Sequence, residues 1–338
     1  MHTAATLVFA GATVLSIPLV LGLLANLHPA FDSFAHFRAH LAALLGICGL
    51  ILLASIYWKQ GLLAVALGVL ALWTTMPAFP LFGATSAAAG DAANGRAVYR
   101  LLQLNLRFDN KASEKVLSLI GRTKPDVITL EEVSVDWMPR IAAIAAMYPY
   151  SIVCDAPNRI GGNAVLSRRP FLDGAPGRCL NEGALALADI DFGGRSLQVA
   201  ALHLAWPWPS HQSEQLQELR PDLAALGNTA LLAGDLNAAT WSATVRRVEA
   251  DAGLSHVAGI GPTWLDRRLP DVLRPYIGLP IDQVFSKGDI SILSARALDA
   301  VGSDHLPVLV EFAFSGGKLP QDNEESATAS AETRKSVF

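Results

Sequence analysis

The N-terminal third of the chain consists of long apolar stretches separated by short polar connections. No Asp, Glu, Lys or Arg precedes Asp32, and none occurs between Lys59 and Asp91. A helix needs about 20 apolar residues to cross the hydrocarbon core of a bilayer. The pattern therefore predicts that residues 1–90 hold three transmembrane helices and a linker, with the helices at residues 6–27, 41–57 and 61–82.

Two other interpretations of these stretches are weaker. A cleaved signal peptide would explain the first stretch, but that stretch is long, lacks a basic start and is followed by two more. A buried helical hairpin of a soluble protein would have to hide charge-free runs of this length. The two connections hold one basic residue each besides histidines, Arg38 and Lys59, so the positive-inside rule does not decide the orientation.

Two weaker signals favour an orientation. Residues 83–95 are rich in Ala and Gly and poor in basic residues, which suits a translocated segment. Cys154 and Cys179 would pair only in an oxidising compartment, with free buried thiols as the alternative for each. We therefore predict an integral protein of a bacterial inner membrane whose C-terminal part lies on the periplasmic side.

From residue 97 the pattern changes to short apolar runs that alternate with amphipathic stretches. Strands are predicted at 96–107, 126–133, 151–154, 164–167, 185–190, 197–204, 230–233, 281–285 and 307–314. Helices are predicted at 113–120, 137–147 and 211–226. Many neighbouring strands with few helices between them favour two stacked, largely antiparallel sheets with helices outside. This α/β domain is predicted to span residues 97–314, and the polar residues 315–338 to form a disordered tail.

The composition narrows the class of protein further. Of the 338 residues, 51% are hydrophobic and only 17% are charged, which argues against a wholly cytosolic protein. The formal net charge of −4 excludes a protein that holds nucleic acid mainly by bulk positive charge, since that needs clustered Lys and Arg. With only three cysteines, the chain is not a disulfide scaffold.

Polar or ionisable side chains follow six of the apolar runs directly. A single such residue is usually a turn residue or a helix cap, but six of related chemistry indicate a site. The segments are LNLR (104–107), LEEV (130–133), LHL (202–204), GDLN (234–237), IDQV (281–284) and SDHLP (303–307). Their carboxylate and amide oxygens suit Mg²⁺ or Mn²⁺. A metal would neutralise a phosphate ester while a carboxylate or imidazole deprotonates the attacking water, so we expect a phosphoester substrate.

In this order, the six segments resemble the motifs of the endonuclease/exonuclease/phosphatase superfamily, which includes deoxyribonucleases and sphingomyelinases. The resemblance covers about residues 97–314, and the combination of GDLN with a terminal SDH is its most specific part. It implies a four-layer α/β sandwich that hydrolyses a phosphoric ester.

The resemblance also implies a metal site. Glu132 matches the metal-binding glutamate of the family, and Asn105 matches the asparagine beside metal and phosphate. Asp304 matches an aspartate on the metal side or the water side. The family usually has glutamine before the glutamate, and Glu131 stands there instead, as a solvated or supporting carboxylate or a partner in the same role.

The remaining motif residues match catalytic positions of the family. His203 matches a histidine that donates to the phosphate in the transition state, and Asp235 and Asn237 match the pair that orients water and holds a phosphate oxygen. Asp282 matches the residue that orients the final histidine, His305. The resemblance leaves open whether Asp235 or His305 is the general base. Taken singly, Asn105 or Asp282 would be a turn residue and His203 a core histidine.

Three tryptophans are candidates for substrate contact. Trp206 and Trp208 alternate with prolines immediately after the LHL segment and either dip into a membrane interface, line a substrate pocket or form a packed loop. Trp264 resembles a Thr-Trp segment that lies near the substrate in the family, with a core tryptophan as the alternative.

We thus expect a membrane-anchored, Mg²⁺-dependent phosphoesterase that hydrolyses a phosphodiester, including one linked to a lipid. One alternative is an extracytoplasmic metal-dependent nuclease, for which DNA or RNA is a partner only as substrate. A second alternative is an inactive binding or scaffold protein, which the retention of all six motifs disfavours.

Overall fold

The computed structural model describes residues 2–80, 96–172 and 176–315. Up to residue 80 it is helical. The helices are α1 (His2–Leu23), α2 (Pro29–Ala35), α3 (Arg38–Leu53) and α4 (Trp58–Trp73). The predicted linker, the end of the third predicted span and the predicted tail after Ser315 lie outside the described residues.

Small residues make the contacts between these helices. A Cβ added to Gly49 would meet the backbone of Gly61 and Val65, and one added to Gly68 would meet the backbone of Ala42. Many large aliphatic side chains point outward, and Leu50 and Leu63 are 60% and 70% exposed, whereas Leu19, Leu45 and Leu52 are buried between the helices. Close contacts through small residues are common between membrane helices.

The prediction of three membrane-spanning helices is not confirmed. By length and composition α1, with 22 residues, can cross a membrane. The helices α2 and α3 meet at 63° and form a second candidate only if the bent pair counts as one span. At 16 residues, α4 is shorter than a typical span.

The rest of the described chain forms two six-stranded sheets. The strands are β1 (Tyr99–Asn105), β2 (Val127–Val133), β3 (Tyr150–Val153), β4 (Gly162–Ser167), β5 (Arg178–Leu180), β6 (Leu185–Asp191), β7 (Ser196–Leu202), β8 (Ala230–Asp235), β9 (Ser255–His256), β10 (Asp282–Lys287), β11 (Ile290–Ala297) and β12 (Val308–Phe314). The first sheet has the order β11-β12-β1-β2-β4-β3 and the second β5-β6-β7-β8-β10-β9. The pairs β1-β2 and β7-β8 are parallel and the others antiparallel.

Side chains that alternate between the two faces of each strand build the core. In β1, Leu101 faces the second sheet, whereas Leu102 packs beneath a helix on the outer face. The outer helices are α5 (Ser113–Thr123) and α6 (Met138–Ala143) beside the first sheet, and α7 (Gln212–Ala224) and α8 (Ala243–Ala252) beside the second. A short α9 (Arg274–Ile277) precedes β10. The predicted four-layer sandwich with two stacked, mainly antiparallel sheets is therefore confirmed.

The structure also settles the pairing of the two cysteines. Cys154, at the end of β3, is bonded to Cys179 in β5, with 5.5 Å between their Cα atoms. The disulfide joins the edge strands of the two sheets, because β3 ends the first sheet and β5 ends the second. The alternative of two free buried thiols is wrong.

Candidate active site

The strand ends and the loop before β12 bring all six motifs together at one edge of the sandwich. Parallel pairing of β1 with β2 sets Asn105 opposite Glu131, and antiparallel pairing of β8 with β10 sets Asp235 opposite Asp282. A cleft of about 260 Å³ opens above this edge. Predicted site residues that line the cleft are Glu132, His203, Trp206, Asp235, Asn237, Trp264, Asp304 and His305.

A buried row of two carboxylates and an imidazole forms the floor. His305 Nδ1 lies 2.9 Å from Asp282 Oδ2, and its Nε2 lies 3.5 Å from Asp235 Oδ2. Burial lowers the pKa of His305, but the carboxylates of Asp282 and Asp235 outweigh burial and raise that pKa to about 10. The imidazole of His305 is therefore protonated at neutral pH. One of its nitrogens is hydrogen bonded to Asp282, and the other faces Asp235.

Asp235 stands between the two histidines and the amide of Asn237. Its Oδ1 accepts a hydrogen bond from the backbone N–H of Asn237 at 2.8 Å, and its Oδ2 lies 3.6 Å from His203 Nε2. Burial raises the pKa of Asp235, against the charges of His305 and His203. The Asn237 Nδ2 donates to the carbonyl of Leu204 at 2.8 Å and lies 3.3 Å from His203 Nε2.

Glu132 is held by uncharged donors. The Asn105 Nδ2 donates to Glu132 Oε1 and to Asp235 Oδ2, both at 3.0 Å. The backbone N–H of Phe108 donates to Glu132 Oε2 at 2.9 Å. Because the Asn105 Oδ1 accepts from the backbone N–H of Arg107, the asparagine positions two carboxylates in this arrangement.

Arg107 had no predicted role and lies beside the predicted metal ligands. Its Nη1 is 3.5 Å from Asp304 Oδ2, and its Nε donates to Asp109 at 2.6 Å. Arg107, Glu132 and Asn237 all have left-handed backbone conformations, with φ of 58°, 57° and 47°. Such conformations are costly for residues other than glycine and cluster at functional sites.

Glu131 lies beneath the cleft and does not line it. It is fully buried and accepts a hydrogen bond from Gln103 Nε2 at 2.9 Å. The same nitrogen donates to Asp282 Oδ1 at 2.8 Å. Burial and the nearby charge of Asp282 raise the pKa of Glu131 well above its ordinary value. Glu131 therefore supports Asp282 through Gln103.

The three predicted tryptophans separate into two places. Trp206 and Trp264 line the cleft, with their ring centroids 6.1 Å apart in an edge-to-face arrangement. Trp208 lies outside the cleft, in an apolar groove beside it. Cleft residues that the sequence did not single out as ligands or catalysts include Asn163, Glu182, His211 and Gln215. No strand-end motif marks Glu182, His211 or Gln215, so the sequence carries no signal for them.

The donor set of the cleft fits a hard divalent cation. Glu132 and Asp304 are partly exposed carboxylates, and their neighbours are amides and one arginine. A second acidic group, Asp235 with Asp282 and His305, has its ligand atoms within 4.8 Å of one another. The imidazole in that group already lies 2.9 Å from one carboxylate and 3.5 Å from the other.

Comparisons with known proteins identify the family. Residues 102–305 match the endonuclease/exonuclease/phosphatase family. No curated protein matches the chain.

Three solved structures share the fold. An endonuclease/exonuclease/phosphatase from Beutenbergia cavernae is 23% identical, with 65% of this chain and 72% of that chain covered and a TM-score of 0.52. TDP2 from D. rerio, complexed with a single-strand DNA product, is 17% identical, with coverages of 64% and 99% and a TM-score of 0.53. The Neisseria 3′ phosphatase NExo, bound to a product DNA hairpin, is 19% identical, with coverages of 64% and 100% and a TM-score of 0.51.

The matched residues run from β1 to the final histidine of the cleft and cover more than half of the chain. The chain therefore belongs to the endonuclease/exonuclease/phosphatase family and is a metal-dependent phosphoric ester hydrolase.

Proposed function

We propose that the protein is a membrane-anchored, Mg²⁺- or Mn²⁺-dependent phosphodiesterase that acts on a lipid-linked phosphodiester at the outer face of a bacterial inner membrane. The observation that carries this proposal is the docking of the helical part onto the catalytic segment. The segment between α1 and α3, which contains α2, is hydrogen bonded to the residues that directly follow Asp235 and Asn237.

The docking uses buried polar groups. Asp32 accepts from the backbone N–H groups of Ala243 and Thr244 at 2.7 and 2.9 Å, at the first turn of α8. The His36 Nδ1 accepts from the backbone N–H of Ala239 at 3.1 Å, and the Trp241 Nε1 donates to the carbonyl of Ala35 at 2.7 Å. A carboxylate at a helix N-terminus is favoured by the helix dipole. These contacts hold the cleft beside the ends of the apolar helices.

The same contacts support the orientation. The C-terminal end of α1, the N-terminal end of α3 and the C-terminal end of α4 all lie on the side of the catalytic domain. Arg38 is buried there and donates to the carbonyl of Gly22 and the hydroxyl of Thr74. With Arg38 buried in protein, Lys59 in the connection at the opposite end supports a cytoplasmic position for that connection under the positive-inside rule. A disulfide in the catalytic domain agrees with an oxidising compartment.

The chain's own residues divide the work of hydrolysis. Glu132 and Asp304 would hold the metal, and Asn105 orients Glu132. A bound Mg²⁺ supplies charge neutralisation at the phosphate. Asp235, whose pKa is raised by burial, takes the proton of the attacking water. His203 and Asn237 donate to phosphate oxygens, and the cationic His305 faces the charge that develops in the transition state.

A substrate panel tests this proposal. Full-length protein in lipid nanodiscs would be assayed on phospholipids, a water-soluble phosphodiester and supercoiled plasmid, each with Mg²⁺ and with EDTA. We expect metal-dependent release from the diester and a lipid class, abolished by Asp235→Ala. Metal-dependent nicking of plasmid without hydrolysis of lipid would contradict the lipid substrate and favour a nuclease.

A further inference from the structure

An apolar groove of about 360 Å³ lies between the helical part and the catalytic domain. We call it the interdomain groove. One wall is the turn from α2 to α3, with Ser33, His36 and Phe37, and the other is the Trp-Pro-Trp-Pro segment, residues 206–209. Leu279 and Ile281 form its base. The groove therefore exists only because the helices dock onto the domain.

The interdomain groove is continuous with the catalytic cleft. Trp206, Ser210 and Asn237 line both. Asn237 is also the residue whose amide lies 3.3 Å from His203 Nε2. A phosphate that contacts Asn237 in the cleft is therefore next to the groove, into which the rest of the molecule can extend.

The walls of the groove offer a ligand apolar surface and few polar groups. The Ser33 hydroxyl donates to the carbonyl of Trp208 at 2.9 Å, and the His36 Nδ1 accepts from Ala239. Phe37, Trp206 and Trp208 remain 50%, 57% and 51% exposed. Exposed aromatic side chains around a concavity mark a surface that is covered by an apolar partner.

The position of the groove relative to the helices identifies the source of that partner. Phe37 immediately precedes Arg38, the first residue of α3. His40, in the first turn of α3, contacts the backbone of Ile277 in α9, where Tyr276 is 77% exposed. The groove thus lies at the level of the helix ends, and in the proposed membrane-anchored protein its opening would face the boundary between headgroups and acyl chains.

We propose that the interdomain groove binds an acyl chain of a lipid phosphodiester while its phosphate occupies the catalytic cleft. This inference rests on the proposed function. It adds that the enzyme recognises its substrate by a hydrocarbon chain as well as by a phosphodiester. A nucleotide base could stack on these aromatic rings, but its hydrogen-bonding edge would lack the polar partners it needs, whereas an acyl chain needs none.

A chain-length series tests the groove. Alkyl methylphosphonates of two to ten carbons, kept below their micelle concentrations, would be titrated onto full-length protein in nanodiscs, with empty discs subtracted. Burial of one methylene strengthens binding by about fourfold, so the Kd should fall by at least about tenfold for every two carbons until the groove is full. Phe37→Asp and Trp208→Asp should each flatten this dependence. Tyr276→Asp, which changes an exposed aromatic side chain outside the groove, should keep it.

The outcomes separate the groove from the proposed function. A Kd that is independent of chain length, or one whose chain dependence survives both groove variants, overturns the acyl-chain site. Displacement of the phosphonates by a single-stranded oligonucleotide, equally at every chain length, overturns it as well. Turnover of matching alkyl p-nitrophenyl phosphodiesters with Mg²⁺ is measured separately. Absence of turnover at every chain length refutes the phosphodiesterase proposal. The Kd series then still tests whether the groove binds an acyl chain.

Discussion

Asp32 offers the sharpest test of the coupling between the helices and the catalytic domain. Its carboxylate is 6% exposed and accepts from three donors, the backbone N–H groups of Ala243 and Thr244 and the hydroxyl of Thr244. In Asp32→Ala the two backbone N–H groups lose their acceptor, whereas the Thr244 hydroxyl can still donate to Gln212 Oε1 at 3.1 Å. Each unsatisfied buried donor costs about 1–3 kcal/mol, so the start of α8 should be destabilised by at least about 2 kcal/mol.

Amide hydrogen exchange measures this loss where it occurs. Because about 1.4 kcal/mol corresponds to a factor of ten, peptides covering residues 239–250 should exchange at least about 25-fold faster in Asp32→Ala. The turnover of a soluble phosphodiester should fall with it, since Asp235 and Asn237 lie just before the loosened segment.

A matched control is available at the edge of the same interface. Asn26 accepts from Arg246 Nη2 at 2.9 Å on an exposed surface, so Asn26→Ala should change the exchange by less than about threefold. Equal exchange in Asp32→Ala and wild type would refute the claim that this carboxylate joins the two parts.

Three further predictions concern the site and the disulfide. Glu132→Gln should raise the Mg²⁺ concentration needed for half-maximal activity, and superimposable titrations with wild type would remove Glu132 from the metal site. Protonated His305 exists below its pKa of about 10, so activity should fall above that pH. Asp282→Asn lowers that pKa, and the alkaline limb of the pH–rate profile should move towards neutrality; an unmoved limb would count against His305 as the cation. Replacing Cys154 and Cys179 by serine should lower the free energy of unfolding by about 2–4 kcal/mol in denaturant titrations, and an unchanged midpoint would deny the bond a stabilising role.

The chemistry of the cleft could be read from the sequence because it is local. Each motif places its side chain at the end of an apolar run, and parallel or antiparallel pairing brings those ends to one edge. Arg107 is part of the first motif, but its contact with Asp304 depends on a left-handed backbone conformation. The sequence pattern does not predict that conformation.

Elements with weak apolar patterns were missed. The helix α8 has the sequence ATVRRVEADA, with small residues on its buried face, and was not predicted. The strand β11 has serines among its apolar residues and a register shift between Ile292 and Ser294, so its alternation is broken. The helix predicted at 137–147 ends at Ala143, and turns follow it.

The docking could not be predicted at all. Asp32 and Ala243 are 211 positions apart, and no periodicity relates them. The first apolar stretch was expected to continue to residue 27, but α1 ends at Leu23 because the following residues turn to meet the catalytic domain. Asp32 and His36 are buried because they contact the catalytic domain, whereas the sequence pattern indicated a polar connection exposed to water.

If the helices anchor the protein in a bilayer as proposed, their docking would also limit where the enzyme finds its substrate. A catalytic domain on a flexible linker would sample a large volume of solution, whereas one hydrogen bonded to the helices through Asp32, His36 and Trp241 would stay at a fixed distance from the membrane. Within a bilayer, encounters would then come from sideways diffusion in one leaflet. The rate would follow the surface density of the substrate and not its bulk concentration.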